Sequence, residues 1–332
     1  MLAMKNFIIL FLIFLLAACQ SAPTAAPISD QTPNWPAPTE TAISTPQPFD
    51  QTQGKPSPAP ATATLALATE TPSPTSIPER VSPKDGMPQV QIPAGILHMG
   101  AYDVNAEVDE KPGHEVTMDS FWMDKLEVTN GMYALCIQAG ACSKRHSIFS
   151  QRRPDYFTNP EYKDYSVLNV SWEEASIYCA WTGRRLPSEA EWERAARGDD
   201  LRTYPWGYEP PSETYANFDN LIHDTSRVGS YSAGASPYGI LDMAGNVWEW
   251  VNDLYDEDYY LTAAAINPIS PTQIPGRYNR VIRGGSYQDT FLDIRVSNRG
   301  SLPGPNLLAP TNDPTRYGKS SVKIGFRCAA GN

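Results

Sequence analysis

Positive charge is in short supply: 26 lysines and arginines stand against 37 aspartates and glutamates, giving a formal charge of −11 and an isoelectric point near 4.9. A chain of that sign is not expected to bind nucleic acid, whose phosphates are met by basic patches. Histidine is scarce too. The four present, His98, His114, His146 and His223, are scattered without the spacing of a metal ligand set. No GxSxG elbow, P-loop or dinucleotide fingerprint occurs, which sets aside serine hydrolases, P-loop NTPases and Rossmann enzymes. Internal repeats are absent as well. The apolar run from Phe7 to Leu16 is too short for a comfortable membrane span, which takes about 20 residues. What is present suffices for a packed core, since 41% of the 332 residues are apolar and 11% aromatic.

The first 19 residues, MLAMKNFIILFLIFLLAAC, place Lys5 before the apolar run and small residues before Cys19, the pattern of an export signal. The ending Leu16-Ala17-Ala18-Cys19 resembles a bacterial lipoprotein box, so Cys19 is expected to carry a lipid and begin the mature chain; an ordinary secretory signal is the alternative. The protein is then expected on the outer face of a bacterial membrane, in the cell envelope. Residues 20–86 hold 14 of the 31 prolines among threonine, alanine and serine, the composition of a disordered tether. A folded domain is expected over residues 87–332.

The most informative stretch is Ser236 to Asp253, SPYGILDMAGNVWEWVND. Asp242 and Glu249 flank Gly245, while Trp248 and Trp250 share a strand face because side chains at i and i+2 point the same way. Two carboxylates around exposed turn carbonyls suit calcium, which takes six to eight oxygens; a plain turn with its carboxylates in water is the alternative. Three helices are signalled upstream. Thr129 can cap one over Asn130 to Ala139, and Ser171 with Glu174, then Ser188 with Glu191, form capping boxes for two that end at Gly183 and Gly198. The charges of GRRLPSEAEWERAARG read as a solvated face with helix-end pairing.

DSFWMDKLEVTN, GRRLPSEAEWE, GNVWEW, RGGS and the closing GFRC, in this order, resemble the formylglycine-generating enzyme family, the sulfatase-modifying factor domains. The resemblance covers about Gln89 to Ala330 and implies an irregular α+β fold, similar to C-type lectins, with few helices, short antiparallel strands and long loops. It implies a calcium loop using the side chains of Asp242 and Glu249 and the carbonyls of Gly245 and Val247. A second would use Asn217, the Phe218 carbonyl and either Asp224 or Asp219. Both ions are expected to be structural.

Of the five cysteines, Cys136, Cys142, Cys179 and Cys328 remain once Cys19 is set aside, and they allow three pairings. The resemblance selects Cys179 with Cys328, leaving Cys136 with Cys142. The family's enzymes oxidise a sulfatase cysteine using copper(I) held by two cysteines shortly after Gly-Gly-Ser. Here Gly284-Gly285-Ser286 is followed by YQDTFLDIRVSNR, with Asp289 near the first thiolate position and Asp293 or Ile294 near the second. Copper(I) needs soft thiolates, so copper and oxidase activity are not expected. The implied role is a binding or accessory module. Its groove would be lined by Trp248, Ser286, Tyr287, Asp289, Arg295 and Arg299 and would hold a peptide, protein or small molecule. Formylglycine generation, or a related oxidation of an exported substrate, is the rival. The closing segment also resembles ligand-binding proteins diversified by retroelements.

Overall fold

The computed structural model describes residues 77–271, 274–310, 312–313, 316 and 318–331. The export signal, Cys19 and most of the tether lie outside the described residues. Strand β1 (Glu79–Val81) precedes β2 (Pro88–Ile92), β3 (Gly95–Met99), β4 (His114–Met118) and β5 (Phe121–Asp124). Helices α1 (Asn130–Gln138), α2 (Trp172–Trp181) and α3 (Glu189–Arg197) follow. A long loop region then leads to β6 (Trp248–Leu254), β7 (Asn279–Arg283), β8 (Arg299–Pro303), β9 (Ile324–Gly325) and β10 (Ala329–Ala330). Helices are few and the strands short, so the fold is α+β.

One antiparallel sheet runs β1-β2-β5-β10, β3 and β4 form a hairpin, and a second sheet runs β8-β7-β6-β9 with only β6 and β9 parallel. The chain end therefore completes both sheets. Asp124 locks this closure by accepting from the Cys328 amide at 2.9 Å and from Arg184 at 2.5 Å.

β1 lies ahead of Met87, where composition places the domain boundary. Its three residues are exposed and leave no hydropathy signal; backbone pairing with β2 makes it a strand. Asp85, also in the segment read as tether, is buried and accepts from Tyr178 at 2.7 Å and from Arg184.

All three helix starts are as the sequence predicts. Thr129 accepts from the Met132 amide, and both capping boxes close reciprocally. The disulfides are Cys136–Cys142 and Cys179–Cys328. The second stands in the core with Tyr178, Trp250, Ile282 and Phe326.

The charged face of α3 is not solvated. Every residue from Glu189 to Arg197 is buried, and its charges are matched from within the protein. Arg299 meets Glu189 through two bonds of 2.7 and 3.0 Å. Arg283 reaches Glu193 at 2.6 Å, and Arg197 reaches it at 2.9 Å. Helical periodicity shows which residues share a face, but here arginines from β7 and β8 cover the polar one.

Candidate functional site

The turn between Asp242 and Val247 is shaped by left-handed residues, with φ of 56° at Asp242, 75° at Gly245 and 58° at Asn246. Gly245 is required twice over, because a Cβ there would also stand 2.3 Å from the Asn217 carbonyl oxygen. That approach lets the Asn246 amide donate to the same carbonyl at 2.8 Å, tying the turn to the loop of residues 217–226. β6 then starts, and both tryptophans anchor: Trp250 Nε1 donates to the Val170 carbonyl at 2.9 Å and Trp248 Nε1 to Asp289 Oδ2 at 2.8 Å.

Asp289 sits on the loop after Gly284-Gly285-Ser286. Its Oδ2 also accepts from the Ser286 amide at 3.0 Å and from the Ser286 hydroxyl, and its Oδ1 lies 3.5 Å from Lys323 Nζ. Gly285, at φ 69°, admits the fold-back of this loop, since a Cβ would lie 2.7 Å from Ile294 Cγ2. Ile294 is fully buried. The four described cysteines are all in disulfides. Hard oxygen donors and a buried hydrocarbon do not fit copper(I), which selects thiolates.

Trp248, Ser286 and Asp289 thus come together through hydrogen bonds, but Trp248 and Ser286 are buried and only Asp289 is partly exposed. Arg295 and Arg299 do not join them. Arg295 is pinned by Glu110 through bonds of 2.7 and 2.5 Å, and Arg299 by Glu189, both buried and unable to line an open groove. Tyr287 is also buried; its amide donates to the Asn246 carbonyl and its carbonyl accepts from Asn220, so it braces the turn. A cavity of about 650 Å³ lies among Met118, Phe121, Arg185, Glu191 and Ile269, and none of the groove residues lines it.

At the expected calcium turn, Asp242 is buried with Oδ2 on the Gly229 amide at 2.6 Å, and burial pushes its pKa up to about 6. Glu127 is a third buried carboxylate of this region. One of its oxygens accepts from Asn246 Nδ2 at 2.6 Å, the other has no partner, and burial with the charges of Asp242 and Glu249 raises its pKa well above the usual range. Asp242, Glu127 and Glu249 all feel the charge of one buried guanidinium, Arg327, and among the described residues no three acidic, histidine or cysteine side chains are grouped closely enough to hold a metal ion. Glu249, an expected ligand, is committed elsewhere. Its two oxygens take Arg327 at 2.6 and 2.7 Å, and one also accepts from Trp192 at 2.8 Å.

The second expected set fits poorly. Asn217 is buried with Oδ1 unpartnered, but the Phe218 carbonyl accepts from the Leu221 amide at 3.0 Å. Asp224 accepts from Ser150 Oγ at 2.6 Å, the Arg152 amide at 3.1 Å and the Thr225 amide at 2.8 Å, with Arg153 at 3.6 Å. Asp219, the other choice, is exposed.

A family profile described as "Sulfatase-modifying factor enzyme 1-like domain" matches residues 77–331. The chain belongs to this family. Among family relatives, formylglycine-generating enzyme of Thermomonospora curvata is 30% identical over 76% of this chain and 97% of its own length. Serine/threonine-protein kinase Pkn1 of Chlamydia trachomatis is 36% identical over 67% of this chain, which spans only 35% of that protein. The solved structure of PvdO from Pseudomonas aeruginosa superposes with a TM-score of 0.61 at 26% identity, covering 78% of this chain and 100% of that one. Within this sulfatase-modifying factor fold, the residues missed from sequence are Glu127, Arg327 and Lys323. Glu127 and Arg327 sit inside quoted motifs, Glu127 between β5 and α1 and Arg327 between β9 and β10. Lys323 lies outside them; only the pairing of β9 with β6 brings it to Asp289.

Proposed function

We propose that this sulfatase-modifying factor protein is an exported binding or accessory module, held to the bacterial cell envelope by a lipid on Cys19, that performs no copper oxidation. The observation that carries the reading is Asp289. Where the family's first copper thiolate would stand, there is a carboxylate bonded to Trp248, Ser286 and Lys323. With Oδ2 taken by Trp248 and Ser286, the partly exposed carboxylate leaves its Oδ1 edge beside Lys323 for a ligand, and it supplies no electron-rich sulfur. The ligand class is a peptide, a protein or a small molecule with donor groups. Structural calcium at the Asp242 turn is part of the reading, supported by the unpartnered buried oxygen of Glu127.

The rival is formylglycine generation, favoured by the similarity to the Thermomonospora enzyme along nearly all of that protein. Mass spectrometry of a Cys-x-Pro-x-Arg peptide incubated with the full chain, copper and oxygen separates the two. An unchanged peptide is expected; conversion of its cysteine to formylglycine overturns the proposal. Cys19→Ser is expected to release the protein from membranes, and retention there would remove the anchor.

A further inference from the structure

The turn of residues 150–153 is built onto Asp224. Ser150 donates to the Asp224 carboxylate through its hydroxyl at 2.6 Å and Arg152 through its amide at 3.1 Å. Arg153 completes the set, with Nη1 at 3.6 Å from Asp224 Oδ1 and donating to the Thr225 carbonyl at 3.0 Å and its hydroxyl at 3.4 Å. The Arg153 guanidinium also lies in a cage of three tyrosine rings, 5.9 Å from Tyr156, 4.9 Å from Tyr162 and 5.0 Å from Tyr165. Such rings attract a cation through their negative faces. The pair is shielded from water, the Asp224 side chain being 2% exposed and that of Arg153 21%.

We propose that Arg153 takes the place of a second metal ion as the positive charge that fastens the loop of residues 217–226. The other donors support the exchange. Of the buried donors expected at this loop, only Asn217 Oδ1 lacks a hydrogen-bond partner, and one neutral oxygen is far short of the six to eight that calcium takes. An arginine beside the carboxylate also repels a divalent ion. The consequence reaches the groove, because the amides of Asp219 and Asn220 donate to the carbonyls of Asp289 and Tyr287 at 2.9 and 2.7 Å. One rim of the Asp289 site is therefore set by an internal cation and does not respond to calcium.

Native mass spectrometry of the calcium-saturated protein, with hydrogen exchange of residues 217–226 with and without chelator, tests this. At most one calcium per molecule is expected, with exchange in that segment unchanged by chelation. Arg153→Ala should speed it about ten-fold, and Arg153→Lys should fall between, keeping the charge but losing the planar fork. Two calcium ions per molecule, chelation that loosens residues 217–226, or unaltered exchange in Arg153→Ala overturns the proposal. Should Arg153→Ala fail to fold, the stoichiometry and chelator response of the unmodified protein decide.

Discussion

Glu189→Gln isolates the buried charges of α3, because it keeps the shape of the side chain and removes one negative charge from a closed set. Glu189 holds Arg299 at 2.7 and 3.0 Å, Arg283 at 3.4 Å and the Tyr260 hydroxyl at 3.2 Å. Burial alone would raise its pKa, but the charges of Arg299 and Arg283 outweigh that and hold it below the usual range. After the change Arg283 keeps Glu193, whereas Arg299 is left with the carbonyls of Asp109 and Asp256. An arginine 4% exposed then lacks its carboxylate. Breaking a buried pair by removing one partner costs about 3 to 5 kcal/mol. With a urea slope of about 2 to 3 kcal/mol/M, the midpoint should fall by about 1 to 2.5 M at constant slope. Adding Arg299→Met should recover part of the loss, since no charge is then stranded. A loss below about 1 kcal/mol for Glu189→Gln would refute the network as a structural element.

The two disulfides should differ in worth. Cys179–Cys328 closes a separation of 149 residues and Cys136–Cys142 one of 6, so replacing each pair by alanine should cost about 5 and 2 kcal/mol in the chain-entropy model; equal losses would contradict it. Asp253, buried with one oxygen on the Glu189 amide and one on the Ser270 amide, has its pKa pushed by burial to about 7. Folding then favours the protonated acid, so the contribution is full below about pH 4 and is lost as pH rises through 7. Asp253→Asn should therefore gain about 2 to 3 kcal/mol relative to the unmodified protein between pH 5 and pH 8 in paired urea titrations; a constant gap would contradict the shift.

Much of this architecture is legible in the chain because its signals are local. Capping boxes at Ser171 and Ser188, the cap at Thr129 and the glycines ending two helices act over a few residues, and each forms as read. The gathering of Trp248, Ser286 and Asp289 follows from the motif order. The misreadings share a physical cause: a charged side chain does not carry in its neighbourhood of sequence the partner that will bury it. Arg295 and Glu110 are 185 residues apart, and Arg299 and Glu189 are 110 apart, yet each pair is closed and buried. Glu249 shows the same limit, since its partner Arg327 enters from the chain end. β1 escapes notice for the opposite reason, being held by backbone bonds with no apolar side chain buried.

The central claim is that the Asp289 site holds no redox metal, and copper(I) titration against a competing chelator, with the disulfides left oxidised, measures it directly. No copper is expected to be retained once the chelator is in excess. One tightly held copper(I) per molecule, lost in Asp289→Ala, would contradict the account.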